Sequence, residues 1–251
     1  MQTRVLVTGA AGRIGSAFVR DVDEWYVLRL ADRHIPTYQH DHESVLLHIE
    51  DLESCQAACR GMDVVMHLAG DPSPQADFYD SLLQNNIVGT YNLFRAAKDQ
   101  GCRRVIFASS IWTVGDYTPE RPVMTDVPVR PPNMYAVSKC FGEAVAYYFA
   151  TAEGLSSIAI RIGSYESDWI WRQRDDATLR GFISQRDMCQ LLTKCIEISD
   201  VPFAIVHGIS DNQWKRLDIT TTRELLGYQP QDDAFQLFET YHQHSIEEEN
   251  R

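Results

Sequence analysis

Residues 5–15 read VLVTGAAGRIG, and the order of those residue types decides the fold. The aliphatic run 5–8 has the make-up of a short buried strand. Gly9, Gly12 and Gly15 follow where that strand gives way to a helix beginning near residue 14, with Arg13 and Ile14 between the last two glycines. A turn without side chains lets backbone amides approach a pyrophosphate, and the N-terminus of the next helix supplies the matching positive end. The spacing is GxxGxxG and not GxGxxG, so the triplet takes its meaning from what surrounds it.

Outward from that turn, β-branched runs recur at 27–31, 45–49, 64–68, 105–108 and 157–162, separated by helix-length stretches at 14–22, 52–60, 80–100 and 134–153. Strands alternating with helices imply a parallel sheet covered on both faces, the doubly wound, Rossmann-type α/β arrangement. Past Arg161 the alternation weakens. Residues 164–181 are rich in Trp, Arg and Asp, and a helix at 185–198 and a strand at 203–207 come after them. The expected layout is one domain over 1–251. Within it, 1–162 is mainly a dinucleotide-binding core, and 163–251 is mainly a small C-terminal substrate lobe with a returning strand and helices. The acidic, polar stretch 245–251 is expected to fray.

With 251 residues, 44% of them hydrophobic, the chain can bury one substantial core. It has no apolar run of about 18 residues and no basic-then-apolar leader, so a soluble, unprocessed protein is expected. Cys55, Cys59, Cys102, Cys140, Cys189 and Cys195 show no CxxC pairing, which points to a reducing cytoplasm and away from a disulfide framework. Cys55 and Cys59 share a helical face, a packing arrangement. A net charge of −12 argues against partners that need clustered Lys and Arg, namely nucleic acid and anionic membrane. His40-Asp41-His42 and His67 lack a third ligand at usable spacing, so no metal is expected. Arg103-Arg104 reads as solvated surface.

Asp32 closes the second strand, twenty residues beyond Gly12, where a carboxylate accepts from an adenosine ribose and repels a 2′-phosphate. NAD is thus favoured over NADP, with Arg33 partly offsetting that repulsion. Asp51 and Leu52 are candidate adenine contacts, although a helix N-cap explains Asp51 nearly as well. Leu68, Ala69 and Gly70 form a candidate cofactor shelf. Ser109-Ser110 ends the fifth strand, at the carboxyl edge where open α/β sheets place ligands. Tyr135 and Lys139 stand four residues apart on one helical face after Pro131-Pro132-Asn133. An ammonium and a nicotinamide cation beside a phenol both favour the phenolate, bringing Tyr135 toward the range of a general base.

The segments VTGAAGRIG, HLAG, NNIVGTYNLFRAA, FASS, YAVSKCFGE and RIGS together resemble the extended short-chain dehydrogenase/reductase superfamily, the NAD-dependent epimerase/dehydratase type, from Val5 to about Ile209. With FAIVHGISDN and LGYQPQDDA added, the chain looks closest to the uronate dehydrogenases and their relatives acting on other aldoses. The resemblance implies removal of a hydride from the anomeric carbon of a cyclic sugar, giving a lactone and NADH. In that scheme Tyr135 takes the hydroxyl proton, Ser110 holds the substrate oxygen, and Lys139 lowers the phenol pKa and holds the cofactor ribose. Asn86 supports the site through its backbone or a water, Ser109 and Ile162 line the cofactor, and Ser164 touches the sugar. A homo-oligomer, paired through the helix carrying Tyr135 and the long helix before the fifth strand, is also implied.

Departures from the uronate dehydrogenase pattern bear on the substrate. Ile111-Trp112 stands where that group carries Asn-His, so two polar contacts to sugar hydroxyls are lost and a different sugar fits. Trp112 either stacks on a sugar face or packs beside the sheet. The loop SYESDWIWRQRDDATLRGF offers Arg172, Arg174 and Arg180 as clamps for a carboxylate or a phosphate, with Arg174 placed among the substrate residues. Trp169 and Trp171 form a lid or pack on the body. Asp71-Pro72-Ser73 replaces a small-polar pattern, leaving Ser73 facing the substrate. A sugar-nucleotide epimerase or dehydratase with tightly bound NAD is the first rival, but the roughly 90 residues after Arg161 are few for a nucleotide lobe. A non-catalytic NAD-binding regulator is the second, and the intact Ser110, Tyr135 and Lys139 speak against it.

Overall fold

A computed structural model describes residues 2–22, 24–35, 41–118 and 120–249. His40, Asn250 and Arg251 lie outside them. The strands are β1 (Arg4–Thr8), β2 (Val27–Asp32), β3 (Glu43–Leu46), β4 (Val64–His67), β5 (Arg104–Ser110), β6 (Ser156–Ile162), β7 (Ser164–Tyr165), β8 (Phe182–Ile183) and β9 (Phe203–Gly208). Seven of them form one parallel sheet in the order β3-β2-β1-β4-β5-β6-β9, while β7 and β8 pair separately. The chain leaves β1 in one direction and β4 in the other. That reversal opens a crevice at their carboxyl ends, where doubly wound sheets take their ligands.

The helices are α1 (Arg13–Val22), α2 (Leu52–Cys59), α3 (Gly89–Asp99), α4 (Met134–Ala152), α5 (Trp169–Arg172), α6 (Asp176–Arg180), α7 (Gln185–Glu197), α8 (Thr220–Leu226) and α9 (Ala234–Glu249). Alternate strand residues feed two cores. Val5, Val7, Ile106, Ile158 and Ile160 pack with Phe18, Val19, Leu191 and Leu192 from α1 and α7. On the opposite face Leu6, Val65, Val105 and Phe107 pack with Leu93, Phe94, Ala146 and Phe149 from α3 and α4. Burial on both faces is why these strands read as nearly unbroken apolar runs. At Gly142 a Cβ would fall 2.1 Å from Phe107 Cζ, so the absence of a side chain lets α4 close down on β5.

Several expectations change. The helix expected over 80–100 is wound in two ways: Phe78–Val88 is π-helical, with Leu82 N–H donating to Asp77 O at 3.0 Å, and α3 continues from it. Asp77 starts it by accepting from the amides of Tyr79 (2.8 Å) and Asp80 (3.0 Å). At the C-terminal end α9 runs to Glu249. Arg104 is not surface. It is buried, with its guanidinium donating to Ser156 Oγ (2.9 Å) and to the carbonyls of Cys195 (3.0 Å) and Ile198, which ties β5 to the end of α7.

Beyond β6, α7 packs on α1 and β9 lines up with β6 in the main sheet. Ile170, Leu179 and Phe182 instead join Ala234, Phe235 and Phe238 of α9 in a small separate core. Among the described residues, no helix is long and apolar enough to cross a membrane.

Candidate active site

The glycine turn meets the end of β4 backbone to backbone. Gly9 has φ +70°, and a Cβ there would stand 2.8 Å from Ala69 N; one on Gly15 would stand 2.4 Å from Gly9 O. Thr8 Oγ1 accepts from Ala69 N–H (3.2 Å) and lies 3.0 Å from His67 Nδ1. Burial holds the imidazole neutral, its pKa pushed down to about 3. Beside the turn, Asp32 accepts from Ala11 N–H (3.0 Å) and His34 N–H (3.3 Å). A side-chain-free cradle at the N-terminus of α1, with a carboxylate at the end of β2, fits a nicotinamide dinucleotide.

Other residues expected at the cofactor are placed as follows. Ile14 packs on the α1/α7 core and Leu52 on the α2/α3/α4 core. Asp51 caps α2 by accepting from Glu53 N–H (2.9 Å). Arg13 sends its guanidinium across to the carbonyls of Tyr165 (2.9 Å) and Glu166 (3.0 Å), with its carbon 5.5 Å from the Tyr165 ring centre. Leu68 and Ala69 are half-buried and Gly70 is exposed. A Cβ on Gly70 would lie 3.1 Å from Asn86 Oδ1 and 3.8 Å from Lys139 Nζ. Ser109 points away from the crevice, its hydroxyl donating to Glu143 Oε1 at 2.6 Å. Ile162 is buried at the end of β6.

Ser110 ends β5 and caps a 3₁₀ turn over Ile111–Val114, its Oγ accepting from Trp112 N–H at 3.2 Å. Tyr135 and Lys139 lie in the first turns of α4, whose N-cap Asn133 accepts from Ala136 N–H (2.8 Å). Both are buried, with Lys139 Nζ 5.6 Å from the Tyr135 ring centre and 5.3 Å from that of Phe107. Burial raises the Tyr135 phenol above its ordinary value; the Ser110 hydroxyl works against the rise and the Asp71 charge adds to it. In the protein alone desolvation dominates, whereas the expected shift toward phenolate invoked a nicotinamide cation beside the ring as well. Burial also pulls Lys139 down to about 8, with Asp71 offsetting part of the drop.

The Asn86 side chain ties the segment after β4 to α4. Its Oδ1 accepts from Asp71 N–H (2.8 Å), while its Nδ2 donates to Asp71 O (3.1 Å) and to Ser138 Oγ (3.0 Å). Ser138 in turn donates to Tyr135 O (2.6 Å). The Asp71 carboxylate accepts from Ser81 Oγ (2.5 Å) and Ser73 N–H (2.9 Å). Ser138 lies inside YAVSKCFGE and Asp71 in the Asp71-Pro72-Ser73 departure, but neither segment gave the residue a role of its own. The one cue to Ser138 is its place one turn after Tyr135 on an inward face.

On the substrate side Ser73 is half-buried, its Oγ accepting from Gln75 N–H (3.2 Å). Ile111 is half-buried and Trp112 is 42% exposed. Ser164 opens β7, its amide donating to Gly181 O (2.7 Å). Arg174 faces outward, paired with Asp176 (2.8 Å) and 5.8 Å from the Phe235 ring centre. Arg172 is exposed at the end of α5, and Arg180 is half-buried at the end of α6. Trp171 packs on Phe182 (5.2 Å between ring centres) and Tyr241 (6.4 Å), whereas Trp169 is exposed.

Comparison with known proteins bears on this geometry. An NAD-dependent glucose-6-phosphate dehydrogenase of Haloferax volcanii is 37% identical over 93% of this chain and 95% of that enzyme. An L-arabinose 1-dehydrogenase (NAD(P)(+)) of the same organism is 32% identical over 92% of this chain and 97% of its own length. The crystal structure of uronate dehydrogenase from Agrobacterium tumefaciens superposes with a TM-score of 0.86 at 32% identity, covering 98% of this chain and 89% of that one. The family model described as NAD dependent epimerase/dehydratase family matches residues 5–196. A glycine cradle, a strand-end serine and a buried Tyr-Lys pair thus sit inside the matched segment, and the chain belongs to the NAD dependent epimerase/dehydratase family.

Proposed function

We propose that this protein is an NAD-dependent dehydrogenase that oxidises the anomeric carbon of a cyclic sugar, free or carrying a carboxylate or phosphate, to its lactone. The observation that carries the reading is the convergence of Ser110, Tyr135 and Lys139 at the carboxyl edge of the sheet, next to the glycine cradle. The similar enzymes act, by name, on a sugar phosphate, a pentose and a uronate, and the anomeric hydroxyl is the group those substrates share.

In this mechanism the Ser110 hydroxyl donates to the anomeric oxygen and fixes its direction. Tyr135 Oη takes the hydroxyl proton as the C–O bond becomes a carbonyl. Bound NAD supplies the acceptor for the hydride leaving the same carbon. Lys139 would hold the ribose hydroxyls of that cofactor, and Asp32 its adenosine ribose. Asn86, locked to Asp71 and Ser138, keeps the edge of the β4 loop in register with α4. Ser73, Trp112 and Ser164 line the sugar. Residues 1–162 form mainly the cofactor half, and 163–251 mainly the sugar half with its returning strand.

Copies pair through the outer faces of α3 and α4, where Tyr91, Val137, Tyr147 and Tyr148 are exposed together. Light scattering that finds only single chains would refute the pairing. Six cysteines with no disulfide among the described residues suit a reducing cytoplasm.

The deciding experiment is an NADH-absorbance screen over uronic acids, neutral aldoses and sugar phosphates, repeated with Tyr135→Phe. Turnover that survives undiminished in the Phe variant would sink the mechanism. NAD released from denatured protein, with no turnover on any free sugar, would point to an epimerase.

A further inference from the structure

Glu143 and Arg161 form an ion pair with almost no solvent contact, at 5% and 1% exposure. Taking both charges out of water costs several kcal/mol per ion, and apolar residues of similar volume often serve stability as well or better. Such a pair is best explained by the geometry it holds. Arg161 Nε donates to Glu143 Oε1 and Nη2 to Oε2, both at 2.9 Å, and Ser109 Oγ donates to the same Oε1 at 2.6 Å. Arg161 Nη1 reaches Thr125 O at 3.3 Å.

The positions of these residues in the chain matter as much as the distances. Glu143 is four residues after Lys139, one turn further along the inner face of α4. Ser109 and Arg161 are register partners across β5 and β6, and so are the next two residues, Ser110 and Ile162. On β5 Ser109 thus turns to the Glu143 carboxylate and Ser110 ends the strand beside Tyr135, while on β6 Arg161 turns to the carboxylate and Ile162 joins the apolar core with α1 and α7. A single carboxylate joins the three elements that carry Ser110, Tyr135 with Lys139, and the segment leading to Ser164. Gly142 against Phe107 sets the distance of α4 from the sheet, but a helix can still slide or turn on such a contact. The bidentate pair restricts those movements. His207, the register partner of Arg161 on β9, stays neutral, its pKa lowered to about 4 by burial and by Arg161, so it brings no competing charge.

We propose that Glu143, held by Ser109 and Arg161, is a positioning residue for the dehydrogenase reaction, fixing the height of Tyr135 along Ser110 without touching substrate or cofactor. The inference rests on the dehydrogenase reading above. A misplacement of about 1 Å at reacting groups costs on the order of 100-fold in rate, which sets the size of the effect.

The test uses two variants of the full chain, assayed with the best sugar from the screen. In Ser109→Ala the ion pair stays; kcat falls roughly tenfold while the Kd for NAD and the melting temperature stay near those of the unaltered protein. In the triple variant Ser109→Ala, Glu143→Met, Arg161→Leu the polar cluster becomes apolar core. That protein folds and binds NAD normally, yet its kcat falls by about 100-fold. A purely structural cluster would return full kcat once folding is preserved, and that result in either variant overturns the proposal. If the triple variant does not fold, unchanged kcat in Ser109→Ala overturns it alone. No turnover by the unaltered protein overturns the dehydrogenase reading together with this one. Turnover that matches in protein and variants overturns only the clamp.

Discussion

The cofactor cradle and the wall facing it across the crevice are built differently. At the cradle, Gly9 and Gly15 press backbone on backbone, and a single methyl group would collide with Ala69 N or Gly9 O. The opposite wall, from β7 through β8, is two short helices and a two-stranded pair, with Arg174 and Asp176 more than half exposed on its outer surface. Chemistry common to a reaction class sits where nothing can move. On the proposed reading, selection among sugars falls to this wall, which packs on α9 through its own small core and reaches α1 through the bonds from Arg13 to the carbonyls of Tyr165 and Glu166.

Substitutions on the rigid side cost far more than those on the wall. Tyr135→Phe should lower kcat by about 1,000-fold or more, within the range for losing a general base, while NAD binding, followed by fluorescence titration, persists. Gly15→Ala places a Cβ 2.4 Å from Gly9 O. The affinity for NAD should drop about 100-fold, in line with the 1–3 kcal/mol of overpacking; unchanged affinity would mean the turn is not a tight cradle. Asp32→Ala removes the charge that repels a 2′-phosphate, so the NADP-to-NAD ratio of kcat/KM should rise about tenfold.

Asp71→Asn tests the electrostatics. The Asp71 charge raises the pKa of Tyr135, whose base form is the deprotonated one. Removing that charge should move the rising limb of the kcat/KM–pH profile to lower pH, and a move upward would show that Asp71 acts in the opposite sense. The effect is small, a rise of roughly a few-fold in rate near neutrality. Smallest of all, Arg174→Ala breaks an exposed pair worth about 0–1 kcal/mol, so sugar KM should change by less than about fivefold. A much larger rise, absent in Arg172→Ala, would give the wall a dedicated anion clamp and blunt the contrast.

The sheet was legible because its strands are buried on both faces, and the trio because strand-end hydroxyls and a Tyr-Lys helical pair announce themselves by type and spacing. Direction was not legible. Ser109 and Ser110 are neighbours of identical type, yet alternation along a strand sends one hydroxyl to Glu143 and leaves the other at the crevice. Arg103-Arg104 looks like surface charge, and only the place of β5 against the end of α7 buries the second guanidinium. Nor does the composition of Phe78–Val88 mark π rather than α winding, which shows only in i to i+5 bonds such as Leu82 N–H to Asp77 O. The rise in the Tyr135 pKa depends on how deeply α4 is sunk into the fold, a tertiary quantity.

The contact between Gly142 and Phe107 has a consequence for descent. An added carbon at Gly142 would require Phe107 to give way, so the reactive helix and its sheet change only together, whereas the exposed wall accepts single substitutions. Copies of such a gene can then diverge in diet while keeping one chemistry.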